Sequence, residues 1–140
     1  MTDTTITKTI FLPATRETVW SFLTESDKLA RWFHRSDHDL ADGQDYALLE
    51  KTDDGVDARV CWGTVMHMEA PSKLVYSFTI GPLGGAMTTV TWTLVDAGDG
   101  TRLTLRHEGL DKVEAPFGLI MALDKGWDEH LGSLRGAASG

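Results

Sequence analysis

The side chains best suited to proton chemistry are few and dispersed. Histidine is the residue whose charge changes near neutral pH, and the sequence holds five: His34, His38, His67, His107 and His130. None forms an HExxH pattern. His34 and His38 stand four apart with Asp37 and Asp39 alongside, but they straddle a helix-to-strand transition rather than one helical face. A zinc site needs three or four converging ligands, so no metal is expected. His107 is different. It alternates with Thr101, Leu103 and Leu105, which places it on the interior face of a strand, where an imidazole needs a hydrogen-bond partner and can serve as acid or base. The adjacent carboxylate, Glu108, points to the opposite face. No serine, cysteine or lysine comes with an activating base, so nucleophilic catalysis has no support. The glycine-rich run Gly81-Pro82-Leu83-Gly84-Gly85 lacks the phosphate-loop spacing and its lysine. It reads as an inter-strand loop at the lip of a cavity, and no cofactor is expected.

The second group of candidate residues binds rather than reacts. Trp62, Tyr76, Phe78 and Trp92 recur at strand spacing on faces assigned to the interior. Tryptophan and tyrosine join a large apolar area to one polar handle, which suits a pocket for a mostly apolar molecule. Met66 and Met121 would add adaptable walls, with His107 supplying a polar point. Thr64, Thr88 and Thr101 could add small polar contacts. Arg59, Arg102 and Arg106 read as outer-face charges. The competing expectation is that the same aromatic side chains simply fill a close-packed core.

These residues need elements to hold them. Thr5 to Leu12 reads as a strand, stopped by Pro13. Ala14 to Leu23 reads as a helix with Thr15 as N-cap, and Asp27 to Phe33 as a second, short helix. From Ser36 the period becomes two. Ser36 to Leu40 and Gln44 to Glu50 are the next strands. Ala58 to Glu69 is a longer one, whose expected inward face carries Ala58, Val60, Trp62, Thr64, Met66 and Met68. Lys73 to Ile80, Ala86 to Val95 and Thr101 to Glu108 follow, joined by short turns as in an antiparallel meander. A helix from about Pro116 to Arg135 closes the chain. Its stripe of Ile120, Leu123, Trp127, Leu131 and Leu134 must face the sheet, so Trp127 is expected to be buried. Gly126 is expected to permit close backbone approach to a neighbour.

The totals bound the answer. At 140 residues the chain reads as one domain spanning 1–140. The fold class is α+β: an antiparallel sheet whose apolar face is covered by the long C-terminal helix. The net charge of -8 disfavours nucleic acid, which needs a basic footprint. No apolar run reaches the ~18 residues of a membrane span, and no signal peptide opens the chain. The lone cysteine, Cys61, reads as a reduced structural thiol. A cytoplasmic protein is expected.

Three stretches carry a family resemblance. The opening strand runs into Pro13-Ala14 and Glu17-Thr18-Val19-Trp20. Leu29-Ala30-Arg31-Trp32-Phe33 follows. Near the end come Gly126-Trp127-Asp128-Glu129-His130-Leu131 and Leu134. Together they resemble the polyketide-cyclase/START/birch-pollen-allergen (SRPBCC) superfamily, and within it proteins related to the C-terminal domain of the activator of heat-shock-protein-90 ATPase. The resemblance implies a helix-grip fold, a curved antiparallel sheet around a long C-terminal helix with two short helices after the first strand. It also implies a small hydrophobic ligand in a cavity between sheet and helix. Two alternatives stay open. One is a cyclase, dehydratase or hydrolase using that cavity. The other is a protein-interaction domain with a chaperone contact, a stress-response role or a second copy of itself as partner. The chain has no room for the separate N-terminal domain of the full-length activator, which weighs against a heat-shock-protein-90 role.

Overall fold

Seven strands pair in one antiparallel sheet that curves around the C-terminal helix in a computed structural model describing residues 4–139. In chain order the elements are β1 (Ile6–Leu12), α1 (Arg16–Thr24), α2 (Ser26–Leu29), β2 (Arg35–Ser36), β3 (Asp45–Lys51), β4 (Asp57–Glu69), β5 (Lys73–Ile80), β6 (Thr88–Ala97), β7 (Gly100–Glu108) and α3 (Phe117–Ala138). A short 3-10 turn, Gly81–Leu83, lies between β5 and β6. The strand order is β1-β7-β6-β5-β4-β3-β2. The first strand therefore pairs with the last, and the rest is a meander. This is the helix-grip arrangement expected from the sequence.

Local chemistry accounts for the element ends. Thr15 caps α1 by accepting a hydrogen bond from the Thr18 backbone N–H, and Glu17 lies in the first turn, where the helix dipole favours negative charge. Pro116 precedes the first turn of α3. That helix is tied to β1 by Lys8, whose Nζ lies 2.7 Å from Asp124 and 3.1 Å from Asp128.

Strand alternation sets most of the core. Ile6 and Leu12 of β1, Val90, Trp92 and Leu94 of β6, and Leu103 and Leu105 of β7 are buried. They meet Trp127, Leu131 and Leu134 from α3 and Val19, Phe22 and Leu23 from α1. Trp32, on the turn after α2, is buried too, its indole N–H donating to the Phe22 carbonyl at 2.7 Å.

β4 departs from expectation. Its buried residues are Cys61, Gly63 and Val65, whereas Trp62 is half-buried on the outer face and Met66 is 50% exposed. Trp62 instead lies under the Arg59 guanidinium, 4.3 Å from the ring centroid. The inward assignment of Trp62 and Met66 is thus corrected, for two physical reasons. Gly63 sits so close to β5 that a Cβ there would lie 2.0 Å from the Ser77 carbonyl oxygen, so the face carrying Gly63 is the one that can press inward. Trp62 and Met66 then fall on the opposite face by plain alternation with Cys61, Gly63 and Val65, and the shift in pairing with β5 between Val65 and His67 changes the parity only beyond them. Beyond it Met68 pairs with the buried Leu74.

Among the described residues, no helix is long and apolar enough to cross a membrane.

A cleft between the sheet and the C-terminal helix

The centre of the interlayer contact is Trp127 on α3. Its ring packs against Phe33, Phe78, Trp92, His107 and His130, with centroids 5.5, 5.9, 5.7, 6.0 and 6.3 Å away. Its indole N–H donates to Nδ1 of His107 at 3.1 Å. On the other side of that imidazole, Nε2 lies 2.7 Å from the Thr88 hydroxyl. Thr88 spends its single proton on the Phe78 carbonyl, at 2.7 Å, so Nε2 must carry the hydrogen and donate to Thr88. The chain of donors runs Trp127 to His107 to Thr88 to Phe78 in one direction. It fixes His107 as the neutral Nε2–H tautomer. Burial pushes its pKa down to about 4, which agrees.

His107 is therefore interior, as its alternation requires, but both its nitrogens are engaged by the protein. It does not line the cleft described next. The same holds for Tyr76 and Trp92, which are buried and joined by a Trp92 N–H to Tyr76 hydroxyl bond of 2.9 Å. Burial raises the Tyr76 pKa, and that of the neighbouring Tyr46, far above the ordinary phenol range. Neither can supply a phenolate. Thr101 is spent on the Ala14 carbonyl and Thr64 on Asp45.

A cleft of about 210 Å³ opens beside Trp127. The sheet contributes Val60 and Cys61 from β4 and Phe78 and Ile80 from β5. α3 contributes Ala122, Leu123, Gly126, Trp127 and His130, residues three and four apart along one helical face. Phe33 and His34, on the segment between α2 and β2, close the third side. Among the expected ligand-binding residues only Phe78 lines this space. Trp62 and Met66 lie on the outer face of the sheet. Met121 is 58% exposed, on a surface groove with Phe117 and the start of β1. The reason is helical geometry: Met121 sits one residue, or about 100°, away from the Ala122-Gly126-His130 row.

Gly126 also corrects an expectation. A Cβ there would meet nothing within 4 Å. The missing side chain does not admit a neighbouring backbone; it leaves space on the cleft-facing row between Ala122 and His130.

The cleft is apolar apart from three groups. The Cys61 thiol is pushed up to about 12 by burial, so it stays protonated and weakly nucleophilic at neutral pH. His34 and His130 stand with ring centroids 5.9 Å apart, and Phe33 packs beside both, 5.0 Å from the first and 4.5 Å from the second. Burial lowers both pKa values, and the His130 imidazole is further disfavoured as a cation by His34. These two histidines were not singled out as binding residues from the sequence. The one available signal was that His130 stands four after Gly126 and three after Trp127 on the helix stripe. Among the described residues, no group of three or more His, Cys, Asp or Glu side chains is placed to hold a metal ion.

Comparison with known proteins agrees with the fold. The family model described as "Activator of Hsp90 ATPase homolog 1-like protein" matches residues 13–139. No curated protein matches the sequence. Among solved structures, DynU16, a protein in the dynemicin biosynthetic locus, is 23% identical with a TM-score of 0.77. The match covers 96% of this chain but only 46% of that protein, so the chain spans less than half of its length. CalU16 from Micromonospora echinospora is 25% identical with a TM-score of 0.77, covering 96% of this chain and 76% of that one. CV1439 from Chromobacterium violaceum is 20% identical with a TM-score of 0.80, and the match covers 98% of both chains.

Proposed function

The chain belongs to the Activator of Hsp90 ATPase homolog 1-like family, and on that footing we propose that its cleft binds a small, largely apolar molecule of one or two rings. The observation that carries this is the cleft itself: about 210 Å³ bounded mainly by aliphatic and aromatic side chains between the sheet and α3. A dry apolar cavity of about 150 Å³ already accepts benzene, whereas drug-sized ligands occupy roughly 300–1,000 Å³. A sterol or a multi-ring polyketide is therefore too large without movement of α3. Phe33, Phe78 and Trp127 offer ring faces and edges to an aromatic guest. Tyr76, Trp92 and His107 support the wall from behind.

The proposal is of binding, not catalysis. His107 is occupied by its two hydrogen bonds and burial keeps Tyr76 and Cys61 protonated, which leaves His34 and His130 as the polar groups open to a guest. A chaperone contact has only family kinship behind it.

Titration with toluene, indole and cholesterol tests the reading, using tryptophan fluorescence and thermal shift. The small rings should bind saturably and the sterol should not. Gly126→Leu should remove that binding, because the new side chain projects into the row between Ala122 and His130, while the fold is retained. If neither small ring binds, or if Gly126→Leu binds them as well as the parent, the cleft is not the site.

A further inference from the structure

The two histidines in the cleft have hydrogen-bonding capacity that the protein does not use. The Trp32 backbone carbonyl lies close enough to the His130 ring to raise its proton affinity, which favours a ring N–H on that side. In a neutral imidazole that leaves the other nitrogen as a bare acceptor. His34 has ring contacts with Phe33 and His130 but no hydrogen-bond partner among the described residues. Its neutral ring offers one donor and one acceptor. The pair thus presents an acceptor on one ring and a donor on the other, in a space otherwise walled by Val60, Phe78, Ile80 and Leu123.

The spacing admits one bridging atom. An oxygen holding two nitrogen partners at the usual ~2.9 Å spaces them at most about 5.8 Å apart. The ring centroids stand 5.9 Å apart with their planes inclined at 65°, a separation across which one oxygen can reach a nitrogen of each ring. A carboxylate is a poor fit, since it brings a negative charge into an apolar cleft whose two imidazoles are held neutral by burial. A hydroxyl both donates and accepts through one oxygen, and it carries no charge.

We propose that the cleft selects a hydroxylated aromatic, a phenol of one or two rings, whose hydroxyl oxygen bridges His34 and His130 while its ring lies against Phe33, Phe78 and Trp127. This rests on the binding role proposed above and adds the polar half of the ligand. His34 and His130 are then binding residues, and Phe33 positions both by packing against each ring.

The test is a matched series of toluene, p-cresol and p-toluate, titrated at pH 7.5 and followed by protein NMR and thermal shift. p-Cresol should bind roughly five- to a hundredfold more tightly than toluene, the value of two net neutral hydrogen bonds, and p-toluate should be the weakest. His34→Phe should lower the p-cresol preference to the part carried by His130 while leaving toluene binding in place. His130→Phe, which also loses the Trp32 contact, is checked first for an unchanged folded spectrum. Equal affinity of p-cresol and toluene, or a p-cresol preference that survives both substitutions, overturns the bridging hydroxyl and leaves the apolar cleft standing. Preferred binding of p-toluate overturns it in favour of anion recognition. If none of the three binds, the cleft reading fails and this inference fails with it.

Discussion

His107 is held by hydrogen bonds that only its neutral form can make on both sides. Trp127 donates to Nδ1, and a proton there would turn an acceptor into a second donor facing a donor. The folded pKa of about 4 lies below the ordinary 6.5. The unfolded chain therefore binds the extra proton between those values, and stability falls as pH drops through that window. Above about pH 6.5 the contribution is complete. The loss on reaching pH 4 is of the order of 3 kcal/mol. His34 and His130 act in the same direction, so the comparison that isolates His107 is with His107→Gln, which cannot titrate. Urea unfolding between pH 7.5 and 4.5 should show a shallower decline in that variant. An equal decline in both proteins refutes the assignment. Gly63 makes a second prediction at this scale. The atom a new methyl would strike is a backbone oxygen, Ser77 O, which cannot rotate aside. Gly63→Ala should cost roughly 1–3 kcal/mol, towards the upper end, and denaturant midpoints measure it.

At the scale of elements, α3 does two jobs along one stripe. Its later half buries Leu131, Leu134 and Ala138 and fastens the helix to the sheet. Its earlier half carries Ala122, Leu123 and Gly126 past the open end of β4 and β5 and leaves the cleft. Trp127 stands at the boundary, 3% exposed, and packs against rings from both regions. Trp127→Ala should destabilise by roughly 3–5 kcal/mol because the ring cluster around it cannot collapse onto a methyl, and because His107 loses a donor. Equilibrium unfolding reads this directly, and a loss below about 1 kcal/mol would contradict the central packing role. Its neighbour behaves oppositely. Gly126 costs helix stability of about 1 kcal/mol relative to alanine, and nothing stands within 4 Å of a Cβ there. Gly126→Ala should therefore raise the melting temperature while narrowing the cleft. A variant that is more stable but binds its ligand less well would show that the glycine is kept for space.

For the whole molecule, binding and folding are linked. A ligand that occupies the cleft only when α3 is docked should raise the unfolding free energy by about 2.7 kcal/mol at one hundred times its dissociation constant. Thermal or urea unfolding at graded p-cresol concentrations should follow that logarithmic rise. A flat response at concentrations far above the dissociation constant would mean that the folded state is not bound in preference to the unfolded chain, and the cleft reading would fail. How much of this could be read from the chain alone differs by kind. The order of strands and helices, the burial of Trp127 and the interior position of His107 follow from period-two and helical spacing, which are local properties written along the sequence. The face of β4 was not legible in that way. Both sides of the strand carry apolar groups, and the choice was made by Gly63 against Ser77, a contact with a strand that follows it in sequence. The cleft was legible least of all. Alternation says which side chains point inward, but an inward side chain may fill space or line it. Trp92 bonds Tyr76, and His107 bonds Trp127 and Thr88, while Phe33, His34 and His130 came together from segments nearly a hundred residues apart. Whether two layers close completely depends on where the helix docks and what its neighbours leave unfilled, and that is decided by tertiary packing.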